Sequence, residues 1–204
     1  AGLLGANHFF KRDPLARRIG LTINVEARGS GGRVQMFQTS PANGGLIDLY
    51  QRTAKRPASS SLAVLIYEKM PNDTDLTETL RAGGAGLNYA IIGGQFDYHS
   101  PTSTPANLER GALQDVGTQV LAAAGEAAFA DSLPGKAPTV VYANLFGDTL
   151  VAYPVWFGWV LIGMIVVLMA FAVRWARHDG AFPPSDIARG MGGLLFGGLT
   201  TVAV

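Results

Sequence analysis

The sequence predicts an α/β domain, a mixed and mostly parallel sheet with helices on both faces, followed by transmembrane helices. Three observations carry this. Strand-length apolar runs alternate with stretches of helical periodicity. Acidic and imidazole side chains fall just past several of those runs, where such sheets bind ligands. The run from Val151 to Val173 carries no charge and is long enough to cross a bilayer.

Composition narrows the classes. The 204 residues suffice for one domain and a little more. A formal net charge of +1 gives no electrostatic reason to expect nucleic acid. There is no cysteine, which excludes a disulfide scaffold, a thiolate metal site and a cysteine nucleophile. Any metal must therefore be held by His, Asp or Glu. The chain starts without methionine or signal peptide and stops inside the apolar run Met191 to Val204, so both ends read as cuts.

Taken in order, Leu3 to Phe10 has helical spacing, broken by Pro14 and the solvated pair Arg17-Arg18. Ile19 to Val25 reads as a strand ending in Glu26-Ala27-Arg28-Gly29. The glycines that follow form a flexible turn without the order of a phosphate loop. Arg33 to Thr39 is a second strand. Asn43 to Lys55 is a helix, with Asn43 as its N-cap. The aliphatic run Leu62 to Tyr67 reads as a third strand. A turn at Asn72-Asp73-Thr74-Asp75 leads into a short helix, Leu76 to Ala82. Leu87 to Ile92 is a buried strand, followed by a loop bearing His99 and rich in Pro, Ser and Thr. A long helix runs from Leu108 to about Ala130, its stripe formed by Leu113, Val116, Val120, Leu121 and Ala124.

The resulting division is a domain over 1–132, a linker over 133–150 in which Val140 to Phe146 reads as a last strand or a lead into the membrane, a transmembrane helix over 151–173, a loop over 174–186 and the start of a second span over 187–204. Tyr153, Trp156, Trp159 and Trp175 suit the membrane interfaces, and Arg174, Arg177 and Arg189 make the loop after the first span cytoplasmic. The folded domain is then periplasmic, extracellular or lumenal, on a multi-pass membrane protein. Within it, Glu26, Asp73 or Asp75, and His99 all follow expected strands. Two of them, Glu26 and His99, are expected to meet at a metal. His8 and His178 are given no role.

Four stretches together carry a resemblance: Gly2-Leu3-Leu4-Gly5-Ala6, Asn24-Val25-Glu26-Ala27-Arg28-Gly29, Asn72-Asp73-Thr74-Asp75 and Tyr98-His99-Ser100-Pro101. In order and spacing, over about residues 1 to 130, the chain resembles the zinc exopeptidase family of bacterial aminopeptidases and glutaminyl cyclases. It is most similar to the membrane-anchored branch of endoplasmic reticulum metallopeptidases and vacuolar membrane proteases. The resemblance implies the C-terminal part of that catalytic domain and, in the complete domain, two zinc ions. Glu26 and His99 match metal ligands. Asp75 matches an acid near the metal site, and Tyr98 and Arg28 match positions beside the ligands or in the substrate pocket. Arg28 is expected to pair with a carboxylate or brace the loop.

By the same resemblance, the general-base glutamate and the other ligands lie upstream of Ala1, in a missing N-terminal half. This stretch then holds no catalytic residue and should be inactive alone. Ser103 stands where the family commonly has an acid, and Gly84-Ala85 replaces the usual Ile-Pro. The implied activity is hydrolysis of N-terminal peptide bonds of a peptide substrate by a zinc aminopeptidase seated in a lipid bilayer. The alternatives are a degenerate, non-catalytic binding domain and a glutaminyl cyclase-like acyltransferase. Nucleic acid is not an expected partner.

Overall fold

The computed structural model describes residues 3–178, 185–186, 188–190 and 192–193. It divides into two compact units, Ala1–Val155 and Trp156–Val204. The first unit is a mixed α/β body around three strands, β1 (Thr22–Ala27), β2 (Gly31–Thr39) and β3 (Gly86–Gly93). Their order is β1-β3-β2, with β3 parallel to β1 and antiparallel to β2. The connection from β1 to β2 therefore passes the carboxyl end of β3, and glycines make that passage possible. A side chain at Gly29 would stand 2.1 Å from the carbonyl oxygen of Gly93.

The pleat of β3 sends alternate residues to opposite faces. Leu87, Tyr89 and Ile91 enter the main core with Leu46, Ile47 and Tyr50 of α2 (Gly44–Thr53) and Ala112 and Val116 of α5 (Arg110–Phe129). Ala90 and Ile92 face the other way, against Phe37, Tyr67 and Met70. Helices thus cover both faces. The buried face of α5 is Ala112, Val116, Gln119, Ala123 and Ala127. It is rotated from the expected stripe, and Leu113 and Leu121 are exposed. Its alanines are small enough to let the helix approach its neighbours closely.

The expected third strand is a helix, α3 (Ser61–Lys69). Ser60 caps it by accepting a hydrogen bond from the Ala63 N–H at 3.1 Å. A short aliphatic run is compatible with either element by pattern, and here the cap decides. The turn acids Asp73 and Asp75 consequently follow a helix. Asp73 precedes α4 (Asp75–Arg81) and Asp75 opens it; before that first turn the Thr74 N–H donates to the Thr77 hydroxyl at 3.1 Å. Asn43 precedes α2 without capping it through its side chain. Its amide instead accepts from the Val140 N–H at 2.9 Å.

Residues 133–150, expected to be a linker, contain β4 (Val140–Leu145) and the first residues of β5 (Thr149–Pro154), an antiparallel hairpin. It packs onto the domain: Tyr142 is buried in the core, and the Asn144 side chain accepts from the Ser59 N–H at 2.7 Å and donates to the Pro57 carbonyl at 2.6 Å.

The second unit holds α6 (Val155–His178), 24 residues that include an 18-residue stretch of mean hydropathy 2.4. At about 1.5 Å per residue it is roughly 36 Å long, enough for a hydrocarbon layer of about 30 Å. Among the described residues it is the one helix long and apolar enough to cross a membrane. It starts later than the expected 151 because 151–154 belong to β5, and it continues through Arg174 and Arg177 to His178. Most of 187–204, read as a second span, lies outside the described residues.

Candidate functional site

Because β1 and β3 are parallel neighbours, their carboxyl ends share one edge. Glu26 lies near the end of β1. The loop holding Tyr98 and His99 follows β3 after a short 3-10 turn, Gln95–Asp97. Glu26, Arg28, Tyr98 and His99 all line one cleft of about 880 Å³. Asp73, Tyr67 and Ser103 line it too. Asp75 is exposed in the first turn of α4 and is not among the lining residues.

The register explains why Glu26 faces this cleft. Paired residues across a sheet share a face, so Glu26, Ala90 and Gln35, mutually in register, form one row across the strands. All three line the cleft. The next row toward the domain interior is polar: Asn24 and Gln38 flank Asn88. The Asn24 amide donates both to Glu26 Oε1 at 3.1 Å and to Asn88 Oδ1 at 2.8 Å. The Asn88 amide donates to Gln38 Oε1 at 3.0 Å and to the Thr74 hydroxyl at 2.8 Å. Asn88 is fully buried, and each of its amide atoms has a partner. This chain of donors fixes one carboxylate oxygen of Glu26 from below.

His99 is exposed and adopts φ 53°, a left-handed conformation uncommon for a residue with a side chain. Two features hold it there. Its ring stacks on Tyr98, centroids 3.9 Å apart, and the Arg28 guanidinium lies 5.3 Å from the Tyr98 ring centre. The Asp97 carboxylate accepts from the hydroxyls of Ser30 and Thr102. These two hydrogen bonds hold the Asp97 carboxyl below its ordinary pKa. Ser30 belongs to the β1–β2 connection, so Asp97 ties the histidine loop to the turn just beyond Glu26.

The same seam yields an expected result. The atoms a Cβ at Gly29 would meet, the Gly93 oxygen and the carbonyl carbons of Gly93 and Gly94, are all backbone and within 2.9 Å. Gly29→Ala should push the two loops apart and cost about 1–3 kcal/mol of stability. A thermal melt of the variant against the parent measures this.

Pattern did not single out Tyr67, Gln35, Asn88 or Asp97. Tyr67 sat in a segment read as a strand. The polar row of Asn24, Asn88 and Gln38 was hidden because those residues meet only through strand pairing. Asp73 pairs with Arg81 at 3.3 Å at the edge of the cleft.

As a metal site, the arrangement is partial. No group of three or more His, Asp or Glu able to hold an ion occurs among the described residues. The donor chemistry of Glu26 and His99, one carboxylate oxygen donor and one imidazole, suits zinc, but zinc usually takes four ligands. The pair could therefore supply at most two of the four donors that zinc usually takes.

The fold and the cleft define an α/β domain with an open cleft at the carboxyl edge of its parallel strands, lined by an acid and an imidazole. The model of peptidase family M28 matches residues 1–124. The chain belongs to that family. It is 30% identical over 173 residues to endoplasmic reticulum metallopeptidase 1 of Mus musculus and to that of Homo sapiens, covering 81% of this chain and 19% of each relative. It is 35% identical over 123 residues to the putative endoplasmic reticulum metallopeptidase 1-A of Caenorhabditis elegans, covering 59% of this chain and 14% of that protein. The chain thus spans about a fifth or less of the length of these curated relatives. No solved structure matches it significantly.

Proposed function

We propose that this chain supplies one wall of the active cleft of a membrane-anchored zinc metallopeptidase, an aminopeptidase that removes N-terminal residues from peptides. The observation supporting this most strongly is that Glu26 and His99, from two different strand ends, line one open cleft. Membership of a peptidase family supplies the reaction class. Glu26 and His99 would hold zinc, in the full site two ions, together with donors outside these residues. Zinc, when bound, supplies polarisation of the scissile carbonyl and activation of water for its hydrolysis.

The residues of this chain do the rest by placement. Asn24 and Asn88 hold the Glu26 carboxylate in one orientation, which leaves its second oxygen for the cleft. The Asp97 bridge and the Tyr98 stack keep the His99 imidazole at the rim. The general base is a glutamate outside this chain, so the 204 residues alone are expected to be inactive. Asp75 acts at most from outside the cleft, as an acid in the first turn of α4 that complements the helix dipole.

The helix α6 would anchor the domain. Trp156 and Trp159 lie near one end and Trp175 near the other, as interfacial residues do. Arg174, Arg177 and Arg189 would place the following loop in the cytoplasm and the peptidase domain on the periplasmic, extracellular or lumenal side. A protease added to sealed vesicles whose cytoplasmic face points outward should digest a tag placed after Arg177 and spare one placed before Leu3; the reverse pattern would invert the topology.

The reaction is tested with the full-length, zinc-loaded protein on aminoacyl amides and on peptides beginning with glutamine. Release of free amino acids from the amides is the expected result. Cyclisation of the glutamine peptides without hydrolysis would make the protein an acyltransferase. Binding without turnover of either set would make it a non-catalytic binding domain.

A further inference from the structure

One helix carries more apolar surface than its packing uses. In α3 the sequence is Ser-Leu-Ala-Val-Leu-Ile-Tyr-Glu-Lys, and after Ser61 its charged residues come only in the last turn. Of its side chains Tyr67 alone is buried, while Val64 leans on the main core. Successive residues of a helix are turned by about 100°, so three stripes follow one another around the axis. Val64 and Tyr67 form the first, toward the domain. Ala63 and Ile66, with Met70 just past the helix, form the second, and all three line the cleft. Leu62 and Leu65 form the third, turned to solvent. An apolar arc of about 100° or a little more is enough to seat a surface helix. The arc of α3 is more than twice that.

The surplus is exposed. Leu62 is 64% exposed, Leu65 52% and Ile66 54%. Apolar side chains scattered singly on a surface are ordinary, but three at i, i+3 and i+4 touch one another and make a patch. This patch is continuous with the cleft, because Ile66 belongs to both. An apolar track therefore leads from Ala63 and Met70 inside the cleft, over Ile66 at its rim, to Leu62 and Leu65 outside. The same cleft holds Glu26 and His99.

An aminopeptidase holds the first residue of its substrate at the reacting centre, and the rest of the peptide has to leave across a rim. An extended peptide advances by about 3.3 Å per residue. One helical turn, about 5.4 Å, plus the reach of the leucine side chains then matches two or three substrate residues. Apolar side chains laid there remove hydrocarbon from water on both partners.

We propose that α3 is the rim over which the substrate leaves, with apolar residues downstream of the scissile bond lying on Ile66, Leu62 and Leu65. This rests on the peptidase reading and names its substrate class: peptides whose first residues are followed by an apolar stretch.

The test compares Leu-Ala-Leu-Leu-Ala-amide with Leu-Ala-Ser-Ser-Ala-amide on the full-length, zinc-loaded protein. The apolar peptide is expected to have the higher kcat/KM by about tenfold or more, mainly through KM. The double variant Leu62→Gln, Leu65→Gln should cut that preference to about twofold and leave hydrolysis of leucinamide, too short to reach the patch, unchanged. Gln keeps the helix, and both leucines are already exposed, so the fold is expected to survive. Leu121→Gln, an exposed position on α5 outside the cleft, should keep the full preference. Calorimetric titration of the metal-stripped, full-length protein with the two peptides should rank them alike without turnover. Equal kcat/KM for the two peptides overturns the track and leaves the peptidase. Tighter binding of the apolar peptide by a protein that hydrolyses nothing overturns the peptidase and leaves the track. A preference that survives in the double variant also overturns the track, and a smaller particle in detergent for that variant would then give the patch to a second copy of this chain.

Discussion

Glu26→Gln in the full-length, zinc-loaded protein is expected to lower kcat/KM by about a thousandfold or more. The Gln side chain keeps the size of the original and can still accept from Asn24, so the row beneath it survives. What is lost is the anionic oxygen that faces the cleft. A metal contributes several kcal/mol of charge stabilisation to such a reaction, and each ~1.4 kcal/mol is worth tenfold in rate. His99→Ala should act alike, because the imidazole is exposed and contributes its nitrogen rather than its packing. Both variants should melt within about 0.5 kcal/mol of the parent when each is stripped of metal, as surface substitutions do. Metal analysis of the purified variants should show zinc reduced in step with activity. Parental zinc and parental kcat/KM in both would mean that neither residue binds the ion.

The largest effect on stability is expected at Asn88. Asn88→Ala removes a fully buried amide and leaves Gln38 Oε1 and part of the capacity of Thr74 and Asn24 unpaired. Each buried group left without a partner costs about 1–3 kcal/mol, and the small void adds to it, so the total should be about 3 kcal/mol. For a domain of this size that lowers Tm by about 6–12 °C. Activity should fall as well, since Asn24 loses the acceptor that orients it beneath Glu26. Differential scanning calorimetry reads the first effect. If Tm moves by less than a degree, the polar row is not a structural unit.

The parallel pairing of β1 with β3 made the cleft legible. A strand ending at Glu26 and a strand leading to His99 could be read from apolar runs alone, and two parallel strands put their carboxyl ends on one edge whatever lies between them. The segment Leu62–Tyr67 was not legible in this way. Six apolar residues satisfy both periods, and only the Ser60 cap distinguishes a helix. That misreading concealed Tyr67, whose helical position turns its ring onto Phe37 and into the cleft. Of the hairpin over 140–154, the first strand is legible as one reading of Val140 to Phe146, but the second is obscured because it runs directly into α6, with no break in the uncharged stretch between Val151 and Val173. Asn88 gave no signal either. An asparagine inside an apolar strand looks like an exception until the pairing brings Asn24 and Gln38 to its sides.

The most direct measurement is anomalous X-ray diffraction at the zinc edge from crystals of the full-length protein. The expected outcome is an anomalous peak at about 2.0–2.2 Å from a Glu26 carboxylate oxygen and another, or the same one, about 2.0–2.1 Å from a His99 ring nitrogen. A zinc peak elsewhere in the domain, with Glu26 and His99 both facing solvent and free of metal, would contradict the shared site on which the peptidase reading depends.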